Sequence, residues 1–239
     1  MVGGRITLKK ASKDEAEKPF WISYADLMTS LMVLFLVVMS VALLAVTKKI
    51  DEIEVRKKQH EDDIRLLFKQ IEQAASEFPG MRIDMDRKII DFGPQANFKK
   101  NEYSISAETA LLLRAFVPKL LDIARQSLGQ KVLKRVVVEG FTSSEGSYLY
   151  NLDLSLNRSH NVLCVLLKPS ERDPTALSVD DQEEVRKLFL VGGYSFNSVK
   201  NTPEESRRIE LRLEVFGFDE KRERPTASLM GNFGKCQLR

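Results

Sequence analysis

From Phe20 to Val46 the chain is apolar except for a few hydroxyls and a single acid, Asp26. Ser23 lies three residues before that acid, and Thr29 and Ser30 lie three and four after it. At 3.6 residues per turn the four would share one face of a helix, while Leu31, Val33, Leu34, Phe35, Leu36, Val37 and Val38 make the rest apolar. An ionisable group at the centre of a membrane span costs roughly 2.5 to 3.5 kcal/mol on insertion scales, and such groups commonly mark ion or proton paths. Desolvation favours the protonated carboxyl. The acid can therefore load a proton from one side and release it to the other when its surroundings change. The alternative use of Asp26 is a permanently protonated acid joining two helices. In either use the polar stripe needs a partner helix or a water-filled crevice to cover it.

The element that positions this acid is long enough to span a bilayer. The run would rise about 40 Å as a helix, against a hydrocarbon core of about 30 Å. A cleaved signal peptide is the rival reading. The run is too long for its apolar region, and no small-residue cleavage site precedes Lys48 and Lys49. Charge does not fix the orientation, because Arg5, Lys9, Lys10, Lys13 and Lys18 precede the span and Lys48, Lys49, Arg56, Lys57 and Lys58 follow it.

Beyond the span, Ile50, Ile53, Lys57, His60, Ile64, Leu67, Ile71 and Ala74 recur at spacings of three and four. This is a heptad seam with two polar interruptions, suited either to pairing with a second copy or to lying on the chain's own domain. Phe78-Pro79-Gly80 ends it. The pattern then changes. Arg82 to Met85 and Lys88 to Phe92 read as a hairpin, Ala107 to Ser127 as a helix, Val132 to Val138 as a strand and Asn151 to Leu167 as a second helix. Val185 to Leu190 is apolar, Glu171 to Glu184 reads as an inserted polar loop or short helix, and Ile209, Leu211, Leu213 and Val215 alternate as a final strand. The expected fold class is α+β: one transmembrane helix, a helical linker, and a β-α-β-α-β sandwich with helices on one face of a mixed sheet. The expected divisions are a tail over 1–19, the span over 20–46, the linker over 47–79, the domain over 80–218 and a C-terminal tail over 219–239.

The 239 residues carry a formal net charge of only +3, with no long basic arm or aromatic-interleaved basic patch, so nucleic acid is not an expected partner. The two histidines, His60 and His160, have no HExxH pattern or cysteine pair at ligand spacing, so no metal site is expected. No nucleophile-base-acid set, glycine-rich phosphate loop or paired catalytic carboxylates stand out, and the chain does not read as an enzyme. Cys164 falls on the apolar side of the second helix and Cys236 lies in the tail. In an oxidising compartment they could join within or between chains.

Pro19-Phe20-Trp21-Ile22-Ser23-Tyr24-Ala25-Asp26-Leu27-Met28-Thr29 resembles the signature of the B subunit of bacterial rotary stators, the MotB type. That resemblance implies that Asp26 binds the translocated ion, taken as a proton, with no other cofactor. It implies a homodimer inside a ring of A subunits, expected to be a pentamer. It also implies a single pass of the bacterial inner membrane, with the N-terminus cytoplasmic and the C-terminal domain periplasmic.

Within the domain, Gly140-Phe141-Thr142-Ser143-Ser144-Glu145-Gly146, then Tyr150-Asn151, Leu154-Ser155, Arg158 and Val162, with Arg207-Arg208-Ile209-Glu210-Leu211, resembles the OmpA-like peptidoglycan-binding domain. The resemblance implies that Thr142, Tyr150, Asn151, Leu154 and Arg158 line a pocket for the diaminopimelate of the wall's stem peptide. Arg158 would offer a bidentate fork to a carboxylate. Two positions depart from the family pattern: Phe141 stands for its His, and Ser143 for the Asp that meets the ligand ammonium. Glu145 is available to replace that charge. Within the stator class, the compact linker and these departures resemble the B subunits of Zorya anti-phage defence systems. A flagellar stator subunit and a passive membrane-to-wall tether are the alternatives, and a gradient-coupled energiser of outer-membrane transport would lack the OmpA-like domain.

Overall fold

The computed structural model describes residues 14–168, 174–220, 234 and 236, with side chains from Trp21 onward. The chain divides into two compact units, 1–56 and 57–239. Helix α1 runs over Asp14–Ala75. Its part from Trp21 is, by length and composition, the one helix among the described residues apolar enough to cross a membrane. Trp21, Leu31, Phe35, Val38 and Leu44 are all more than half exposed, as a lipid-facing surface requires. Residues 1–13 of the expected tail lie outside the described residues, as does most of the expected C-terminal tail.

In the second unit the last turns of α1 belong to the domain core. Leu67, Phe68, Ile71 and Ala75 are buried there, and Ile64 and Ala74 pack partly against it. His60 Nε2 lies 3.0 Å from the Phe216 carbonyl, and Asp63 pairs with Lys131 at 2.5 Å. The seam from His60 to Ala74 is thus occupied by the chain's own domain, because the domain supplies the apolar cover that a second helix would otherwise give. Ile50 and Ile53 remain exposed.

The sheet comprises β1 (Arg82–Asp84), β2 (Ile89–Asp91), β3 (Leu133–Gly140), β4 (Phe189–Gly193) and β5 (Ile209–Val215), in the order β1-β2-β5-β3-β4. β3 and β4 are parallel and the other neighbours antiparallel. The helices are α2 (Ala107–Arg125), α3 (Ser127–Val132), α4 (Tyr148–Leu166), α5 (Val179–Leu188) and α6 (Pro203–Ser206). The polar segment read as a loop or short helix contains the start of α5, whose N-cap Ser178 accepts from Asp181 N–H. The apolar stretch from Val185 is divided between the end of α5 and β4, because Val185 faces the core at a helical spacing and Phe189 at a strand spacing.

The core lies between Ile90, Val136, Val138, Ile209, Leu211 and Leu213 of the sheet and the apolar faces of α1, α2, α4 and α5. Alternation puts Arg135 and Glu139 of β3, and Glu210, Arg212 and Glu214 of β5, on the opposite face, where they pair. Two glycines set the distance of α4 from the sheet. A Cβ on Gly140 would meet the Ser155 carbonyl oxygen at 2.0 Å, and one on Gly193 would meet Leu156 Cγ at 2.5 Å and Ser155 Oγ at 2.7 Å.

Candidate functional site

In the first unit Asp26, Ser23, Thr29 and Ser30 all lie on α1 and all are exposed. The Thr29 hydroxyl donates to the Ala25 carbonyl at 3.0 Å and the Asp26 carbonyl at 2.9 Å. Its proton is thus committed to the backbone, which leaves the oxygen lone pairs as its contribution to the stripe. Asp26 is the one ionisable side chain between Trp21 and Val46 apart from Tyr24.

In the second unit the residues Thr142, Asn151, Leu154 and Arg158 come together where β3 ends and α4 begins. Ser147 caps α4, its hydroxyl accepting from Tyr150 N–H. Asn151 Nδ2 donates to the Glu145 carbonyl at 2.8 Å and the Ser147 carbonyl at 3.1 Å, so it fixes the turn that carries Ser143 to Gly146. Thr142 N–H donates to the Ser195 carbonyl at 2.9 Å. The Thr142 hydroxyl is buried and has no hydrogen-bond partner among the described residues. Leu154 is buried beneath the site, while Tyr150 stands 48 % exposed at its rim.

Arg158 differs from the open fork expected of it. It is fully buried, with Nη1 donating to the Phe141 carbonyl at 2.6 Å, Nε to the Glu102 carbonyl at 2.9 Å and Nη2 to the Lys99 carbonyl at 3.3 Å. Its guanidinium lies over the Phe98 ring at 4.7 Å. Burial draws its pKa down to about 10, and the neighbouring Arg207 charge adds to the fall. In this conformation Arg158 pins the loop of residues 98–102 to the end of β3.

The two departures have structural consequences. Phe141 is buried, stacked on Tyr194 at a centroid distance of 5.4 Å, with the Arg208 guanidinium 4.2 Å from its ring. It fills a place between strands and presents no polar atom to a ligand. Ser143 Oγ donates to Glu145 Oε2 at 3.4 Å, and Glu145 Oε1 meets Lys100 Nζ at 3.0 Å. A carboxylate is therefore present beside Ser143. Lys100 and Ser195 are site residues the sequence did not flag. Ser195 is a non-glycine residue at φ 52°, which no sequence signal betrays.

Cys164 and Cys236 form a disulfide within the chain, with Cα atoms 5.7 Å apart. Among the described residues no group of three His, Cys, Asp or Glu side chains is placed to hold a metal ion.

The stretch of α1 from Trp21 to Val46, with Asp26 as its one acid, followed by a mixed-sheet α+β domain, has the layout of a MotB-type protein, and the sequence comparisons agree. The family model for the membrane MotB of the proton-channel complex MotA/MotB matches residues 7–53. A Zorya protein ZorB of Escherichia coli O139:H28 (strain E24377A / ETEC) is 44% identical over 225 residues, covering 94% of this chain and 92% of that protein. The chain belongs to the ZorB family. Among solved structures, the periplasmic domain of Helicobacter pylori MotB is similar over 58% of this chain and 90% of that one, with a TM-score of 0.39 and 15% identity. The OmpA-like domain of FopA1 from Francisella tularensis is similar over 57% of this chain and 82% of that one, with a TM-score of 0.35 and 16% identity.

Proposed function

We infer that the chain is the B subunit of a proton-driven rotary stator, acting in Zorya-type anti-phage defence. The observation that carries this reading is Asp26, the one acid of the apolar span, within the segment that matches the MotB family model. A proton on Asp26 alters the contact of α1 with a surrounding ring of A subunits, taken as five around a dimer of B subunits. The transmembrane ion gradient supplies the energy, and the chain itself performs no catalysis.

The N-terminus is cytoplasmic and the α+β domain periplasmic. The Cys164–Cys236 disulfide supports that side for the domain, since such bonds persist in oxidising compartments. The domain holds peptidoglycan, so that the torque acts against the wall. The stem peptide meets the unpartnered Thr142 hydroxyl, Tyr150 and Asn151 above Leu154. Glu145 faces its ammonium, exchanging Lys100 for it. Arg158 reaches its carboxylate once the loop of residues 98–102 parts from the guanidinium.

The test is phage plaquing on cells carrying the protein with its genomic neighbours, wild type against Asp26→Asn at matched membrane expression. The amide keeps the shape but cannot cycle a proton, so protection should be lost while assembly persists. Protection retained by the variant would move Asp26 to a structural role and favour a passive tether.

A further inference from the structure

We propose that Tyr148, Leu149 and Phe196 form a subsite for an N-acetylated sugar ring of the glycan strand, beside the stem-peptide site. This rests on the wall-binding reading above and adds the saccharide to it.

Three consecutive large side chains stand out from the first turn of α4: Tyr148 is 44 % exposed, Leu149 74 % and Tyr150 48 %. Their outward faces are left uncovered, since α4 buries Asn151, Leu154, Ser155 and Arg158 instead. The Tyr148 and Phe196 rings meet edge to face at 5.6 Å and 88°. Asn197 Nδ2 donates to the Tyr148 hydroxyl at 3.3 Å, which puts an amide and a phenol together on the rim of an apolar surface.

This platform is fixed to the candidate wall site through one residue. Ser195 is fully buried in the left-handed conformation, at φ 52°, and uses its polar groups in three directions. Its N–H donates to Ser155 Oγ at 3.0 Å, its hydroxyl to the Tyr148 carbonyl at 3.1 Å, and its carbonyl accepts from Thr142 N–H. Backbone conformations of this kind persist where the surrounding structure over-determines them, and they gather at binding sites. Here the bend sends Tyr194 onto the buried Phe141 and the half-buried Phe196 onto Tyr148, which stays 44 % exposed.

The chemistry selects the occupant. Tyr148, Leu149, Tyr150, Phe196 and Asn197 carry no formal charge, so the surface offers nothing to a phosphate, a carboxylate or an ammonium. A pyranose ring presents a face of C–H groups to an aromatic plane and a rim of hydroxyls and N-acetyl groups to amide and phenol donors and acceptors. The glycan and the stem are covalently joined in peptidoglycan, so adjacent subsites on Thr142 and Tyr148 suit one continuous ligand.

The full-length protein in detergent is titrated with a disaccharide-stem muropeptide, the free stem peptide and tetra-N-acetylchitotetraose. The muropeptide should bind about tenfold tighter than the free stem peptide. Tyr148→Ala should abolish that advantage and the chitotetraose signal while leaving stem-peptide affinity unchanged, and Tyr148→Phe should retain most of both. Equal affinity for muropeptide and free stem peptide would overturn the subsite and leave the wall site standing. Equal loss of both ligands in Tyr148→Ala would also overturn it. No binding of any fragment would overturn the wall-binding reading and this inference with it.

Discussion

Arg212 on β5 and Glu139 on β3 close a two-pronged ion pair on the sheet face opposite the helices, Nε to Oε1 at 2.5 Å and Nη2 to Oε2 at 2.9 Å. Glu139 is fully buried while the Arg212 side chain is 34 % exposed. The hydrogen bonds it donates to Glu139 hold the Arg212 guanidinium above its ordinary pKa. Burial, aided by Glu139, pushes the Tyr194 hydroxyl up as well. Removing one member of a buried pair strands the other charge, at a cost of about 3 to 5 kcal/mol. Because Arg212 is partly solvated, Arg212→Met should fall near the lower limit. The double variant Arg212→Met with Glu139→Gln should recover part of that loss. Urea unfolding of Arg212→Met, Glu139→Gln and the double variant measures this, and a double variant as weak as the sum of its single changes would show that the two side chains are not coupled.

The Cys164–Cys236 bond joins α4 to a segment 72 residues further along. A cross-link of that span restricts the unfolded chain, and typical disulfides contribute about 2 to 4 kcal/mol. Thermal unfolding with reductant should therefore give a lower midpoint than without it. Cys236→Ser should show the same lowering and no further response to reductant. An unchanged midpoint in both would mean that the C-terminal segment adds nothing to domain stability.

Asp91 gives the domain an acid-sensitive contact. Burial by itself raises its pKa, but the hydrogen bond from Lys200 at 2.5 Å, the one from Gly93 N–H and the charges of Lys200 and Arg208 outweigh it, and the net shift is downward from 3.8. A carboxyl with a folded pKa below its unfolded one adds stability that is fully present above about pH 4 and is lost as the pH falls through the folded value. Asp91→Asn should thus lower the denaturation midpoint at pH 6 and flatten its decline below pH 4. A variant that follows the wild-type acid limb would place the pH dependence on other carboxyls.

The parts of this fold that depend on repeat distance were legible in the sequence. Ile209, Leu211 and Leu213 alternate, and they form the inward face of β5. The seam after the span was ambiguous, because Leu67 and Ile71 have the same spacing whether they meet a second helix or their own sheet. Phe68, buried beside them, lies off the seam and marks the broader apolar face that a domain-packed helix needs. The cysteines were visible as a possible pair, but their partners depend on where a distant tail lies. Least legible were the contacts to backbone carbonyls. Arg158 stands out by residue type, yet Lys99, Glu102 and Phe141 receive its bonds through groups every residue has. Ser195 stands out by neither type nor pattern.

Those carbonyl contacts change what a substitution at Arg158 reports. Removing the guanidinium takes away three donors, at 2.6, 2.9 and 3.3 Å, from the carbonyls of Phe141, Glu102 and Lys99. Hydrogen bonds to a charged group contribute about 1.5 to 3 kcal/mol each, and the losses at one side chain are not additive. Arg158→Ala should therefore lose at least about 3 kcal/mol of domain stability as well as wall binding. Thr142→Val, which replaces an unpartnered hydroxyl by a methyl group, should keep its stability and lose affinity for the stem peptide. Measuring unfolding and sacculus co-sedimentation on both variants separates the two effects. If Arg158→Ala keeps full stability and fails only in co-sedimentation, the guanidinium is released to the ligand in solution and the pinned loop is not its principal partner.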